Sequence, residues 1–167
     1  KEKGNLAVLL KKAVAMMAPL FEEKKLSVTL SLEESLPDLL FDRDRMNQVI
    51  YNLLNNAVRY VPQGRSLTIS AATEMEGKTA YLLTEIRDTG DGVPPDRLSH
   101  LFQYFYRGET SRNRQSGGSG IGLALARQLV QSHGGKLWAE SKVGEGTSFF
   151  FTLPVTPGHV TPVKQVP

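Results

Sequence analysis

Apolar side chains in the first part of the chain recur at every third or fourth position, the spacing that places them on one face of a helix. The members of this series are Leu6, Leu9, Leu10, Ala13, Val14, Met17 and Leu20. Proline clashes with the preceding helical turn, so Pro19 is expected to bend or end this first helix. Val28, Leu30 and Leu32 then alternate with polar residues, which predicts a half-buried strand.

A second amphipathic helix is predicted after an acidic N-cap at Asp42 or Asp44 and before the helix breakers Pro62 and Gly64. Its apolar face comprises Met46, Val49, Ile50, Leu53, Leu54, Ala57, Val58 and Val61. Its opposite face carries Gln48, Asn52, Asn55, Asn56 and Arg59.

The asparagines on that polar face are unusual, because each costs about 0.5–0.7 kcal/mol relative to Ala inside a helix. Asn52 and Asn56 are one turn apart on the same side, and Arg59 lies a further turn along. Two amide oxygens and a cation therefore face the same volume. A solvated polar face would explain them equally well if this helix stood alone, but the glycine clusters described below favour a binding site.

A strand is predicted over residues 67–71, where apolar and polar residues alternate, and a hairpin turn follows at Glu76 and Gly77. One face of the returning strand is formed by Leu82, Thr84, Ile86 and Asp88. This alternation brings the carboxylate of Asp88 to the end of the strand on the core side, where it needs a hydrogen-bond donor.

Shorter elements are predicted in the rest of the chain. A short helix runs from Pro94 to Phe102, and a final strand pair covers residues 137–141 and 147–153. A plain hairpin turn between these strands would explain Gly144 and Gly146. Four prolines follow without periodicity from Pro154 onward, so one domain is predicted over residues 1–154 and a disordered tail over residues 155–167.

Composition narrows the possible functions. The chain has 167 residues, of which 40% are hydrophobic, enough for one well-buried core. The net charge of +3 is too small and dispersed to indicate a nucleic-acid surface. Cysteine is absent, which removes disulfides and thiolate-bound metals and fits a reducing compartment. No apolar run reaches the roughly 18 residues of a membrane span. The chain starts at Lys1 and is expected to be a segment of a longer protein.

Glycine is concentrated in the second half of the chain, where eleven of the fifteen glycines lie between Gly90 and Gly146. Such clusters suit tight turns and close approach to a ligand. The cluster over residues 117–122 opens a helix, whose free N–H groups and positive dipole end attract an anion. The loop over residues 107–116 carries three arginines and is predicted to be a mobile cationic lid, anchored by Phe102 and Phe105. A phosphate-bearing ligand is therefore expected.

Several familiar signatures do not fit. G-G-S-G-I-G follows a polar loop rather than the strand that a dinucleotide fingerprint requires, although Glu140 lies at a suitable distance. No P-loop sequence occurs. The D-T-G sequence at residues 88–90 matches the aspartic protease triplet, but charged residues flank it. Ordinary surface or helix-end positions, rather than metal ligation, are expected for His100, His133 and His159.

Five motifs follow one another along the chain. They are Q-V-I-Y-N-L-L-N-N-A-V-R-Y (48–60), D-T-G-D-G (88–92), F-Q-Y-F-Y-R-G (102–108), G-G-S-G-I-G-L-A-L-A (117–126) and G-E-G-T-S-F (144–149). In this order they resemble the N, G1, F, G2 and G3 boxes of sensor histidine kinases. The resemblance covers residues 6–153 and implies the ATP-binding catalytic domain of the GHKL superfamily. It implies an α+β fold of the Bergerat type, a two-layer sandwich with a mixed sheet of about five strands under three helices.

The resemblance also implies roles for the matching residues. Asp88 would accept a hydrogen bond from the adenine amino group, Gly90 and Gly92 would allow close approach of the base, and Tyr60 would stack on it. The other nucleotide contacts would come from Asn56, Gly118, Gly120, Ile121, Gly122, Leu123 and Thr147. Mg²⁺ would be held by Asn52 and Asn56, and the implied catalytic set is Asn52, Asn56, Arg59 and Arg107. Adenine is expected to be preferred over guanine, because the Asp88 carboxylate and guanine O6 are both hydrogen-bond acceptors and would face each other.

The expected activity is transfer of the γ-phosphoryl group of Mg²⁺-ATP to a histidine on a dimerisation domain outside this chain. The expected partners are that domain and a response regulator, with no nucleic acid. The isolated domain is expected to be a monomer, and the full-length kinase a homodimer whose catalytic domain lies in the cytoplasm below a membrane-bound sensor.

Two alternatives remain open. One is a GHKL ATPase that drives a conformational change, and the other is a nucleotide-dependent protein-serine kinase or partner-binding module. Asn52 argues against the first, because the ATPases of the superfamily resemble one another in having Glu there to activate water, and an amide is not a base.

Overall fold

The structure, a computed structural model, describes residues 1–103 and 121–155. Its strands are β1 (Glu2–Gly4), β2 (Ser27–Leu32), β3 (Leu39–Phe41), β4 (Ser66–Glu76), β5 (Thr79–Asp88), β6 (Leu137–Lys142) and β7 (Gly146–Pro154). Its helices are α1 (Leu6–Glu23), α2 (Arg43–Tyr60), α3 (Pro95–Leu98) and α4 (Gly122–Ser132). The predicted lid over residues 107–116, which includes Arg107, lies outside the described residues, as do Phe105, Gly118, Gly120 and the chain beyond Val155.

A mixed five-stranded sheet in the order β2-β4-β5-β7-β6 forms one layer. β2 runs parallel to β4, and the other neighbouring strands are antiparallel. One face of the sheet is buried against the long helices α1, α2 and α4 in a single hydrophobic cluster. This arrangement confirms the predicted α+β fold.

The predicted alternation of β5 determines what the sheet buries. Leu82, Thr84 and Ile86 are 2% exposed or less, and Asp88 follows them on the same face at the strand end. β5 lies between β4 and β7, with Ile86 opposite Ile69 on one side and Phe149 on the other. The register of a central strand thus carries Asp88 to the rim of the core.

Pro19 was predicted to bend or end the first helix, and the second alternative is wrong, because α1 continues to Glu23. Pro19 lies on the exposed side of the helix with Ala15, so the carbonyl left without its helical donor can bond to water. Met17 and Phe21 are buried on the opposite side, and their packing stabilises the helix through the proline.

The strand pair β1 and β3 was not predicted. Both are three residues long, too short to show an alternation. They pair antiparallel, with Glu2 opposite Phe41 and Gly4 opposite Leu39. A Cβ at Gly4 would lie 2.8 Å from the Phe41 ring, so the close packing of this pair depends on glycine.

Two predicted boundaries also differ. The predicted helix from Pro94 to Phe102 ends at Leu98, and the chain continues in turns. Phe102 packs edge-on against Phe149 at 6.2 Å between ring centroids, in agreement with its predicted packing role. Val155, the first residue of the predicted tail, is buried, and its amide donates to the Ala80 carbonyl.

His133 occupies the helix-end position that was predicted for it. It follows α4 and is 7% exposed, with Nδ1 2.8 Å from the Leu129 carbonyl oxygen. Its Nε2 accepts a hydrogen bond from the Asp42 amide at 3.0 Å. Asp42 in turn caps α2 by accepting from the Arg45 amide at 3.1 Å, so His133 joins the end of α4 to the start of α2. None of the helices in the described ranges has the length and apolar character needed to cross a membrane.

Candidate nucleotide site

The polar face of α2 meets the beginning of α4. Nδ2 of Asn52 donates to the Gly122 carbonyl oxygen at 3.1 Å, although 70 residues separate the two in sequence. Because Nδ2 makes this bond, the Asn52 amide oxygen stays available as an acceptor or metal ligand. Asn56 is half-buried one turn further along, whereas Asn55 is exposed. Arg59 is exposed and Tyr60 is 45% exposed at the end of the helix.

The N-terminus of α4 has the features expected of an anion site. Ile121 is the N-cap residue and provides no side-chain hydrogen bond, so the first amides of the helix depend on another acceptor. Gly122 is the first helical residue and Leu123 is half-buried behind it. The helix is 11 residues long, and its dipole favours negative charge at this end.

Asp88 lies at the end of β5 and is held by the backbone. Its Oδ1 accepts from the Gly90 amide at 2.8 Å and from the Thr147 amide at 3.2 Å. Within residues 1–103 and 121–155, no group donates to its other oxygen, Oδ2. Burial raises the pKa of the Asp88 carboxyl above its ordinary value, and the bonds from Gly90 and Thr147 act in the opposite direction. One oxygen is thus fixed by protein and the other is ready to accept from a ligand.

Contacts between protein segments require glycine at positions 92 and 146 and restrict the space at Gly90. Gly92 has a φ of +76°, and a Cβ there would collide with the carbonyl group of Lys142. Gly146 has a φ of +113°, and a Cβ there would collide with the carbonyl of Asp88. A Cβ at Gly90 would lie 3.0 Å from Asp88 Oδ1 and 3.3 Å from Pro62. Close approach of the base was the expected reason for Gly90 and Gly92, but packing against protein already requires glycine at position 92.

The plain hairpin turn expected at the end of β6 explains Gly144 but not Gly146. Gly144 has a φ of +85° with nothing near its Cβ position, and its amide donates to the Asp91 carbonyl at 2.8 Å. Gly146 instead brings the backbone of β7 against Asp88. Thr147 follows it, is 7% exposed and donates its amide to the same aspartate, so the predicted nucleotide residue lies beside Asp88.

The loop after Asp88 is also anchored to β4. The Thr89 amide donates to the Ser66 carbonyl at 3.1 Å, and the Thr89 hydroxyl accepts from the Ser66 amide at 2.9 Å. Arg65 donates to the Thr89 carbonyl at 3.2 Å and lies 3.8 Å from the exposed carboxylate of Asp91. The loop that carries the two G1 glycines is therefore held on both sides before any ligand binds.

Sequence patterns did not identify Ser141, which lies in β6. Its Oγ accepts from the Val93 amide at 2.7 Å and lies 2.9 Å from the Gly146 carbonyl oxygen and 2.7 Å from Thr147 Oγ1. No sequence signal separates it from other polar residues near a strand end, because its partners become visible only once the two segments pack.

The donor set is compatible with a metal that is bound together with phosphate. The described residues contain no group of three or more His, Asp or Glu side chains placed to hold a metal ion. Asn52 keeps a free amide oxygen, a neutral oxygen ligand of the kind that suits Mg²⁺ when phosphates supply the negative charge. The residues present therefore fit the expected Mg²⁺-nucleotide complex.

Comparisons with known proteins identify the family of this chain. A family model described as "Histidine kinase-, DNA gyrase B-, and HSP90-like ATPase" matches residues 41–157. The sensor histidine kinase WalK of Bacillus subtilis (strain 168) is 40% identical over 124 residues, which are 72% of this chain and 20% of WalK. The adaptive-response sensory kinase SasA of Synechococcus elongatus is 37% identical over 147 residues, 88% of this chain and 37% of SasA. The chain thus spans about a fifth to two fifths of the curated relatives it matches.

Solved structures show the same fold. The catalytic domain of histidine kinase ThkA superposes with a TM-score of 0.79 at 22% identity, covering 94% of this chain and 97% of that domain. Full-length ShkA, solved in complex with AMPPNP, gives 0.78 at 26% identity and covers 93% of this chain and 31% of ShkA. ThkA has also been solved in complex with the response regulator TrrA. The chain belongs to the histidine kinase-, DNA gyrase B- and HSP90-like ATPase family.

Proposed function

We propose that this chain is the ATP-binding catalytic domain of a sensor histidine kinase and donates the γ-phosphoryl group of Mg²⁺-ATP to a histidine on a dimerisation domain. Family membership and the sensory kinases among its relatives support this proposal. Asn52 is the observation that carries it beyond nucleotide binding. Its amide donates to the Gly122 carbonyl, which places Asn52 beside the start of α4, and an amide cannot act as the base that activates water.

At the adenine end, Asp88 would recognise the base through Oδ2, the oxygen that no described protein group bonds to. An ionised carboxylate accepts from the adenine amino group and meets guanine O6 as acceptor against acceptor. Tyr60, at 45% exposure, has a ring face available for stacking. Thr147 and Gly90 fix the carboxylate, which makes the direction of the remaining oxygen independent of the ligand.

At the phosphate end, the α4 N-terminus and the polar face of α2 would bind the triphosphate. The first amides of α4, from Gly122 and Leu123 onward, supply donors, and Arg59 supplies positive charge. Asn52 and Asn56 would hold Mg²⁺ through their amide oxygens, and the ion would neutralise charge on the phosphates when bound. Arg107, Gly118 and Gly120 would complete this cradle from outside the described residues.

The transfer itself would need little covalent chemistry from this chain. An imidazole nitrogen of the acceptor attacks the γ-phosphorus, and the bond from that phosphorus to the bridging oxygen breaks with its electron pair leaving on ADP. The imidazole proton passes to solvent or to a base on the acceptor domain. This chain places the phosphorus in line and stabilises the charge on the oxygens around it.

The proposal extends to partners and location. The acceptor would be the dimerisation domain of the same kinase, which would be a homodimer, and the phosphoryl group would pass on to a response regulator. The ThkA complex with TrrA supports the last step by analogy. ATP is available in the cytoplasm, so the domain would lie there.

A transfer assay tests the proposal. The chain is incubated with γ-labelled Mg²⁺-ATP, alone and with the separately purified dimerisation domain. We expect very slow hydrolysis alone and, with the partner, a phosphoprotein that is labile in acid. Asn56→Ala should abolish the label, whereas Asn55→Ala, on the exposed side of the same helix, should retain it. Rapid hydrolysis by the chain alone would support the ATPase alternative, and an acid-stable phosphoserine would support the protein-serine kinase.

A further inference from the structure

Ser141 joins two segments that both contact Asp88. Its Oγ accepts from the amide of Val93, at the end of the loop that follows Asp88, at 2.7 Å. The same atom lies 2.9 Å from the Gly146 carbonyl oxygen and 2.7 Å from Thr147 Oγ1, at the start of β7. Val93 and Ser141 are 48 residues apart in sequence.

These contacts use the full hydrogen-bonding capacity of the hydroxyl. A serine hydroxyl has one donor hydrogen and two acceptor lone pairs. Ser141 can donate to the Gly146 carbonyl while it accepts from the Val93 amide and from the Thr147 hydroxyl. This assignment leaves none of the contacting groups unsatisfied, and at this size it requires a side-chain hydroxyl, which alanine lacks.

The hydrogen bonds between the strands do not hold the Asp88 loop, which is the part of the structure that Ser141 contacts. Ser141 is opposite Thr147 in the β6–β7 pair, and Arg87 is opposite Ser148 in the β5–β7 pair, so β7 is already held by its neighbours. Val93, however, lies beyond the end of β5, where no strand pairing reaches. The hydroxyl of Ser141, together with the bond from the Gly144 amide to the Asp91 carbonyl at 2.8 Å, holds the loop against the β6–β7 hairpin, and the Asp88 carboxylate bonds to both the loop and β7.

We propose that Ser141 is a positioning residue for base recognition: it holds the Asp88 loop against β7 so that the Gly90 and Thr147 amides both stay on Asp88 Oδ1 and Oδ2 faces the nucleotide. This inference rests on the proposed adenine role of Asp88. Ser141 acts through Asp88 and does not itself contact the base. Loss of the Ser141 hydroxyl should consequently weaken the binding of adenine nucleotides more than the binding of guanine nucleotides.

The test uses Ser141→Ala, the hydroxyl-retaining Ser141→Thr, and Ser148→Ala as a matched control. The hydroxyl of Ser148, in β7, makes no hydrogen bond to the residues that the structure describes. Calorimetric titrations with Mg²⁺-ATP and Mg²⁺-GTP are run well below the melting temperature of each variant. We expect Ser141→Ala to lower ATP affinity about tenfold, because one hydrogen bond is lost and an amide is left unpaired. The ratio of ATP affinity to GTP affinity should decrease as well. The ATP affinity of Ser141→Thr and of Ser148→Ala should stay within about twofold of that of the parent, which is the size of the error in such comparisons.

A double-mutant cycle with Asp88→Asn separates positioning from a general loss of structure. If Ser141 acts through Asp88, Ser141→Ala should have little further effect on ATP affinity once Asp88 is changed. A parent chain that binds no ATP would overturn the proposed function itself. A parent that binds ATP, with Ser141→Ala binding equally well or losing ATP and GTP affinity equally and additively with Asp88→Asn, would overturn the role of Ser141 alone.

Discussion

Replacing Asp88 by Asn separates the proposed role of this residue in adenine recognition from its role in the structure. Asp88 Oδ1 accepts from the Gly90 and Thr147 amides, and an asparagine oxygen can accept both bonds in the same place. The amide orientation is then determined, because the reverse orientation would place the side-chain NH₂ group against the Gly90 and Thr147 N–H groups, donor against donor. The NH₂ group of the asparagine would therefore occupy the position of Oδ2 and face the base.

The expected loss of ATP affinity follows from the replacement of an acceptor, Oδ2, by a donor, the NH₂ group. A hydrogen bond to a charged group contributes about 1.5–3 kcal/mol, so ATP affinity should fall about 10- to 150-fold. The adenine amino group would in addition meet another donor. Guanine O6 is an acceptor and would be favoured at the same point, so the preference for ATP over GTP should narrow or reverse.

Stability should respond differently from affinity. Burial raises the pKa of Asp88 in the folded chain above its ordinary value of 3.8, so the folded state binds a proton more tightly than the unfolded state. The contribution of Asp88 to stability is fully present at low pH and is lost as the pH rises through the raised pKa of its carboxyl. Above that window the ionised group opposes folding, and Asp88→Asn should leave the melting temperature unchanged or higher. ATP affinity of the parent should instead rise with pH over the same window, because the base needs the ionised form.

Calorimetric titration with ATP and GTP, together with thermal melting, measures all of these effects. Asp91→Asn is the matched control, because it makes the same change three residues away in the same loop, where the side chain is 79% exposed. The control should keep the ATP affinity of the parent. If Asp88→Asn binds ATP as tightly as the parent, or loses ATP and GTP affinity in equal measure, Asp88 does not recognise adenine.

Three further substitutions test the packing around the site. Thr84 is fully buried and its hydroxyl finds no partner among the described residues, so Thr84→Val should raise the free energy of unfolding by about 1 kcal/mol in urea titrations; a decrease would show that the hydroxyl is bonded. His133→Ala removes the bond to the Asp42 amide and should lower stability by roughly 2–3 kcal/mol, with ATP affinity unchanged below the melting temperature. Gly146→Ala should lower both stability and ATP affinity, because its Cβ would displace the backbone of Asp88; full retention of binding would contradict that contact.

The elements that could be predicted are those whose periodic pattern is long enough to read. α2 begins after Asp42 and ends at Tyr60, as its cap and its breakers indicated. The central strands also follow their alternation, although β4 extends to Glu76. β1 and β3 could not be found, because a strand of three residues carries no period and gains its stability from the partner.

Some residues of the candidate site could likewise be predicted from a local sequence pattern, and others could not. Asp88 and Asn52 were identified from a carboxylate on a core face and from amides in an unfavourable helical position, which are local signals. Ser141 and the packing reason for Gly92 are contacts between segments about 50 residues apart, and they depend on how β6 meets the loop. A local pattern shows that glycine is needed at position 92, but it does not distinguish a ligand from the Lys142 carbonyl as the reason.

The proposed recognition of the nucleotide by Asp88 would depend on strand register. Asp88 reaches the site because β5 alternates with period two, and the same alternation buries Ile86 and leaves Arg87 exposed on the other face. A slip of one residue would place Arg87 at the rim and turn Asp88 away. The register is fixed from both sides, since Ile86 is opposite Ile69 in β4 and Phe149 in β7. Core substitutions that loosen these pairs should therefore reduce stability and ATP affinity together, whereas Asp88→Asn should reduce affinity alone.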